Sequence, residues 1–354
     1  MTQAHFPGGE RPVHRALSAA VDQYFRDQQT ARSGNGRLYR KAFIILTLFC
    51  TSFVAMLTVT GELNWLAWLI HGAATALVGF NIMHDGAHQS FSRSRRLNQL
   101  AALTFNLIGS NRYYWAQKHN RNHHSFTNVD DVDEDIDALG LFRMSPRQKH
   151  YGFHRAQHLY VWFLYPLTSL FWFFVLDYKA WLRQKIGERD FSHRMKASDH
   201  AEFLLSKVLY VLIYLVLPLQ LLSTEQVVVG FLLMHAILGV LFAVVFQLAH
   251  VVDQAEFLQP DDKGVMHDEW AVHQLRTTVD FAPQSRFLTW ALGGLNFQVE
   301  HHLFPRVSHV HYPALHAILT QQCAALGQPV RSYATLWQAL AAHYRHLKSM
   351  GRPD

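Results

Sequence analysis

The sequence predicts an all-α membrane protein: four transmembrane helices in two hairpins, with a cytoplasmic helical cap that holds a histidine-rich, two-metal site. Three observations lead there. Half of the 354 residues are hydrophobic, and they concentrate in runs at about 42–60, 63–83, 204–222 and 226–249. Each run is close to the ~20 residues that cross a bilayer core. The runs are joined in pairs by short turns at Gly61-Glu62 and Ser223-Thr224-Glu225. Eight histidines then collect in or beside the segments that flank the runs.

The N-terminal arm, 1–41, is mostly polar and does not read as a cleaved secretory signal. Val13, Leu17, Val21 and Phe25 recur every four residues there, the mark of an amphipathic surface helix. Residues 42–310 form one predicted domain, and 311–354 a cytoplasmic helical tail. The run at about 160–176 is at the lower limit for a span. If it crossed, His250 and His301 would face away from His84 and His124. It is therefore read as an interfacial helix, which its Trp and Tyr content favours. Leu100–Ile108 is too short to cross.

Apart from Lys207, every Lys and Arg lies in the arm, in 84–203 or after 250. Basic residues mark cytoplasmic segments, so both termini and the histidines are expected on the cytoplasmic side. The expected location is a bacterial inner membrane. The net charge of +6 fits a basic, membrane-facing side, and no basic–aromatic pattern calls for nucleic acid. Cys50, in a span, and Cys323, in the tail, are not expected to pair.

The first cluster is His84-Asp-Gly-Ala-His88, the second His119-Asn-Arg-Asn-His123-His124 and the third Gln298-Val-Glu-His301-His302, while His250 closes the last run. On α-helices, His84/His88 and His119/His123 would share a face. Adjacent pairs such as His123/His124 would diverge by about 100°. Eight imidazoles and one amide exceed the needs of a single zinc and suit two metal ions. His71 and His235, inside spans, read as hydrogen-bonded packing residues. His150, His154 and His158 imitate a ligand row but stand apart. His267, His273, His309, His311 and His316 are expected mostly at the surface. The acidic stretch Asp130–Asp137 is either a solvated turn or a set of carboxylates that orient metal-bound histidines.

Together with Trp115-Ala-Gln-Lys-His119 and Asn296-Phe-Gln298, and with Leu303-Phe-Pro305 after the third cluster, these boxes resemble those of the membrane fatty-acid desaturases over residues 40–310. Gln298 resembles the front-end, linoleoyl-CoA desaturase-like subgroup. The resemblance implies two non-haem iron ions held by His84, His88, His119, His123, His124, His250, His301 and His302. Gln298 would be a ninth ligand or a close neighbour, and Trp115 would lie near the bend of an acyl tunnel. It also implies dioxygen as co-substrate, an acyl-CoA or acyl-lipid substrate, and a separate donor, either ferredoxin or a cytochrome with its reductase. In the acyl-CoA branch an asparagine four residues before the isolated histidine reaches a metal through water. Phe246 stands there, so that contact does not carry over.

His5-Phe-Pro-Gly-Gly resembles the haem motif of a cytochrome domain fused to some desaturases. With four residues before it, no fused haem domain is expected. The reading is thus a desaturase that inserts a cis double bond using dioxygen and two electrons. A di-iron lipid hydroxylase or ketolase is the alternative within the class, and a metal-binding membrane transporter the alternative outside it.

Overall fold

The computed structural model describes residues 4–186, 189–190 and 195–353. They form two compact units, each assembled from separate stretches of chain. One comprises Asn35–Ala116 and Trp162–Val244, and is called here the span unit. The other comprises Met1–Gly34, Gln117–Val161 and Val245–Asp354, and is called the histidine unit.

In the span unit the helix Gly36–Thr58 starts where the Asn35 side chain accepts the Arg37 N–H (2.9 Å). It packs against Leu63–Val78, and a tight turn joins the two. Buried Asn64 closes the hairpin, donating to the Met56 and Val59 carbonyls and accepting from the Trp68 indole N–H (3.1 Å). The core of the unit joins Met56, Trp68, Tyr210, Tyr214, Phe231 and Met234. Gly72 permits a close helix approach, since a Cβ there would stand 2.5 Å from the Met234 carbonyl oxygen.

Among the described residues, five helices are long and apolar enough to cross a membrane: Gly36–Thr58, Leu63–Ala87, Gly152–Arg183, Ala197–Leu219 and Thr224–His250. The expected short interfacial helix at 160–176 is the middle of the 32-residue Gly152–Arg183. Polar residues that mark the run's ends continue the helix, because their partners lie inside the fold. Buried Gln157 donates to the Arg143 and Leu347 carbonyls. Buried Asp177 pairs with Lys207 at 2.7 Å and accepts from Ser110. Lys207 also donates to the Gly109 and Phe173 carbonyls, each at 2.8 Å, so all three of its protons are used.

In the histidine unit Leu17, Val21 and Phe25 of the helix Pro12–Asp27 are buried in one cluster with Leu315 and Leu319 of the helix Tyr312–Ala325. The amphipathic helix therefore docks its apolar stripe into a core rather than lying on a surface. The fold is not wholly helical. Asp280–Phe281 pairs in parallel with Ser332–Tyr333, and Lys185–Ile186 in antiparallel with Arg189–Asp190. The backbone of His5 bonds Gly264 and Met266, and Phe6 stacks on Phe126 with ring centroids 5.3 Å apart.

Candidate metal centre

The second histidine cluster departs from the expected α-helical spacing. After one α-turn, Arg112–Trp115, residues Ala116–His123 wind as a wide π-helix. The His124 N–H donates to the His119 carbonyl five residues back (2.9 Å). The wider turn brings His119 and His124 together, with their Nε2 atoms 3.1 Å apart. Wide turns of this kind recur at functional positions in helices.

Six histidines of this unit converge. His119, His123, His124, His250, His301 and His302 are each at most 5 % exposed. One ring nitrogen from each of His123, His250 and His302 lies within 4.8 Å of the others, and the same holds for His124, His301 and His302. His302 is shared between the two groups. Four of the rings are anchored through Nδ1. His123 Nδ1 faces the Asp133 carboxylate at 3.0–3.1 Å. His250 Nδ1–H donates to the Thr277 carbonyl (3.3 Å), and His302 Nδ1–H to Gln274 Oε1 (2.8 Å). His301 Nδ1 lies 3.2 Å from the Tyr312 hydroxyl. An oxygen acceptor on Nδ1 fixes the proton there and leaves Nε2 as the ligating atom. Converging neutral imidazoles of this kind fit a transition metal.

The acidic stretch is no solvated turn at its centre. Asp133 is 2 % exposed and accepts the backbone N–H groups of Asn128 and Asp135 besides facing His123. Asp135 pairs with Lys118 at 2.6 Å and lies 3.4 Å from His123. Burial alone lowers the pKa of His123, but Asp133 and Asp135 outweigh it and the net direction is upward. Burial pushes His119 down to about 4, so it is neutral and able to ligate at physiological pH. Asp135 is held well below the ordinary carboxylate range: burial opposes this, but Lys118 and His123 prevail.

The third cluster stands on the short helix Gln298–Leu303. Gln298 is buried, and its amide donates to the Leu295 carbonyl (2.9 Å). Asp280 accepts the Val299 N–H at 2.9 Å, and the His316 Nδ1–H is shared between Asp280 (3.1 Å) and Glu300 (2.9 Å). His316 is pushed up to about 10, because these two carboxylates overcome its burial. Burial beside Asp280 pushes Glu300 up to about 8.

Contrary to the surface expectation, His273, His309 and His311 are buried, while His267 is exposed. His273 Nε2–H donates to the Thr127 carbonyl, and the Thr127 hydroxyl in turn reaches Gln274 and His302. Thr127, Gln274, Thr277 and Tyr312 are hydrogen-bond partners of the clustered histidines that sequence reasoning missed. None stands in a motif. His150 and His154 bond the Gly351 and Gly140 carbonyls, outside any convergent group.

In the span unit His84–Ala87 forms a single α-turn after a π segment, Gly79–Met83. The rings of His84 and His88 stand 4.7 Å apart, as the i, i+4 reading expects. Trp115 packs edge-on against both, at 5.7 and 5.6 Å.

The fatty acid desaturase family profile matches residues 62–334. The chain belongs to that family. It is a membrane fatty-acid desaturase, and hence an oxygen-dependent oxidoreductase. An sn-1 linoleoyl-lipid 6-desaturase of Synechocystis sp. is 35% identical over 347 residues, covering 97% of this chain and 96% of that protein. The protein of the same description from Arthrospira platensis is also 35% identical, covering 95% and 92%. An acyl-lipid (8-3)-desaturase of Physcomitrium patens is 34% identical, covering 94% of this chain and 70% of that protein.

Proposed function

We propose that this desaturase is of the front-end type and acts on an acyl chain carried by a glycerolipid. Two iron ions would be held by His84, His88, His119, His123, His124, His250, His301 and His302, with Gln298 as ninth ligand or close neighbour. The observation that carries the reading is the convergence of six buried imidazoles, four of them oriented through Nδ1 by fixed partners. The relatives described as acyl-lipid desaturases favour a lipid carrier over a thioester. The proposed donor is a separate ferredoxin, or a cytochrome with its reductase.

When bound, the irons would supply the redox chemistry with dioxygen that an unactivated C–H bond requires. The chain's own residues do the rest. Asp133, Thr277 and Gln274 hold the protons of His123, His250 and His302 on Nδ1 and set the angle of each ring. The near-complete burial of the set keeps bulk water away. Trp115 holds His84 and His88 edge-on, and we propose that it also lines the acyl path.

The proposed topology has four crossings, cytoplasmic termini and the helix Gly152–Arg183 lying at the interface. The membrane is proposed to be a bacterial inner membrane. Cysteines introduced at exposed Glu62 and Thr224 should then label from outside, and one at exposed Arg147 from inside.

The functional test is expression in a host fed defined polyunsaturated precursors, with mass spectrometry of double-bond positions in each lipid class. New double bonds on the carboxyl side of existing ones, appearing first in glycerolipids, are expected. First appearance in the acyl-CoA pool would overturn the lipid-carrier reading. Gln298→Ala at matched iron content should lose most activity. Full activity would remove Gln298 from the centre.

A further inference from the structure

Within the histidine unit, the loop 138–142 and the turn 151–153 build one exposed apolar surface. Leu139 (47 % exposed), Leu141 (49 %), Tyr151 (39 %), Phe153 (55 %) and Leu159 (55 %) all face outward. Their frame is tied by hydrogen bonds and ring contacts. The Gly140 carbonyl accepts from buried His154 Nε2–H (2.9 Å), and the Leu141 carbonyl accepts from the Tyr160 hydroxyl (2.6 Å). Tyr151 and Phe153 stack at 5.7 Å, and Phe153 meets Tyr160 at 6.5 Å. Exposed large side chains on a fixed scaffold mark a surface that is covered in use.

We infer that this surface is a seat for anionic membrane lipid, inserted at the level of the headgroups. Two observations select lipid as the occupant. Phe153 and Leu159 stand on the first turns of the helix Gly152–Arg183, which is long and apolar enough to cross a membrane, so the patch continues into a lipid-length apolar element. Exposed Lys149 lies against it, with Nζ 5.0 Å from the Tyr151 ring centroid, and exposed Arg147 and Arg155 stand within a few residues of Tyr151 and Phe153 in the chain. The adjacent acid, Asp137, is turned onto the Leu139 N–H (2.7 Å). Basic residues interleaved with aromatics and leucines are the composition of interfacial segments that favour anionic leaflets. The same loop carries Asp133 and Asp135, which hold His123. The inference rests on the membrane reading above and deepens the lipid-carrier proposal.

The test uses the full chain in nanodiscs containing phosphatidylglycerol. Phe153→Cys and Leu139→Cys, in a Cys50→Ser background with Cys323 left buried, carry an environment-sensitive fluorophore. Brominated lipid should quench both probes several-fold more than a probe at Lys263→Cys, an exposed turn residue, and aqueous iodide should quench them less. Arg147→Gln, Lys149→Gln and Arg155→Gln should each weaken the response to phosphatidylglycerol roughly five-fold. Quenching by iodide alone would overturn the inference, and so would protection from both quenchers, which would mean a protein partner. Lipid quenching in a preparation that desaturates nothing would support the seat while removing the functional reading.

Discussion

Buried histidines occur in both units, and they are used in opposite ways. In the spans, His71 is hydrogen-bonded through Nδ1 to Ser52 (2.9 Å) and through Nε2 to Tyr214 (3.2 Å). His235 repeats the arrangement with Ser169 (2.9 Å) and Tyr210 (3.0 Å). Both rings are fully buried, and both of their nitrogens have hydroxyl partners. In the histidine unit, His123, His250 and His302 are as deeply buried, but an oxygen partner holds Nδ1 while one nitrogen of each ring converges on the others. Burial therefore does not distinguish a candidate ligand from a packing residue. What distinguishes them is whether the second nitrogen meets a hydroxyl or another imidazole.

The contrast breaks most sharply at the proposed ligands. His123→Ala, His250→Ala and His302→Ala should each lower turnover by more than about a hundredfold and reduce bound iron, since loss of an outer partner alone costs about 10–100-fold. Elemental analysis beside product assays checks this, and wild-type iron content in any of the three would remove that residue. The next largest effect belongs to Asp133→Asn. It preserves shape but weakens the acceptor on His123, so metal affinity or activity should fall about 10–100-fold. An unchanged iron affinity would make Asp133 a loop brace only.

Stability against pH sharpens the comparison from another side. Burial pushes His273 and His343 down to about 4. The unfolded imidazole takes a proton near pH 6.5, whereas the folded one refuses it until about pH 4. Between those values the unfolded chain binds more protons, so stability is full above pH 6.5 and falls toward pH 4. The loss is on the order of 3 kcal/mol per group. Thermal melts of the iron-free protein across this window should show the decline, and His343→Gln should remove about half of what these two groups contribute. A flat profile in the parent would mean that these rings stay solvated.

The smallest effect on activity is expected in the spans. His71→Ala and His235→Ala leave two hydroxyls each without their imidazole, costing about 1–3 kcal/mol of stability. Turnover per folded molecule should match the parent. Loss of iron in either variant would erase the distinction between the two kinds of histidine.

Much of this was legible in the residues. Apolar runs of bilayer length and three histidine clusters are local patterns, and the order of residues alone states them. The i, i+4 relation of His84 and His88 survives because one turn of α-helix is a local structure. Other features needed the folded chain. Whether Ala116–His123 winds as an α- or a π-helix depends on what packs around it, and that choice put His119 beside His124. The length of Gly152–Arg183 was hidden because Gln157 and Asp177 look like helix ends until distant Leu347 and Lys207 satisfy them. The same holds for Thr277, Gln274 and Tyr312. Sequence determined which side chains could bind a metal. Tertiary structure decided which nitrogen each one offers, because that depends on an oxygen brought from a remote part of the chain.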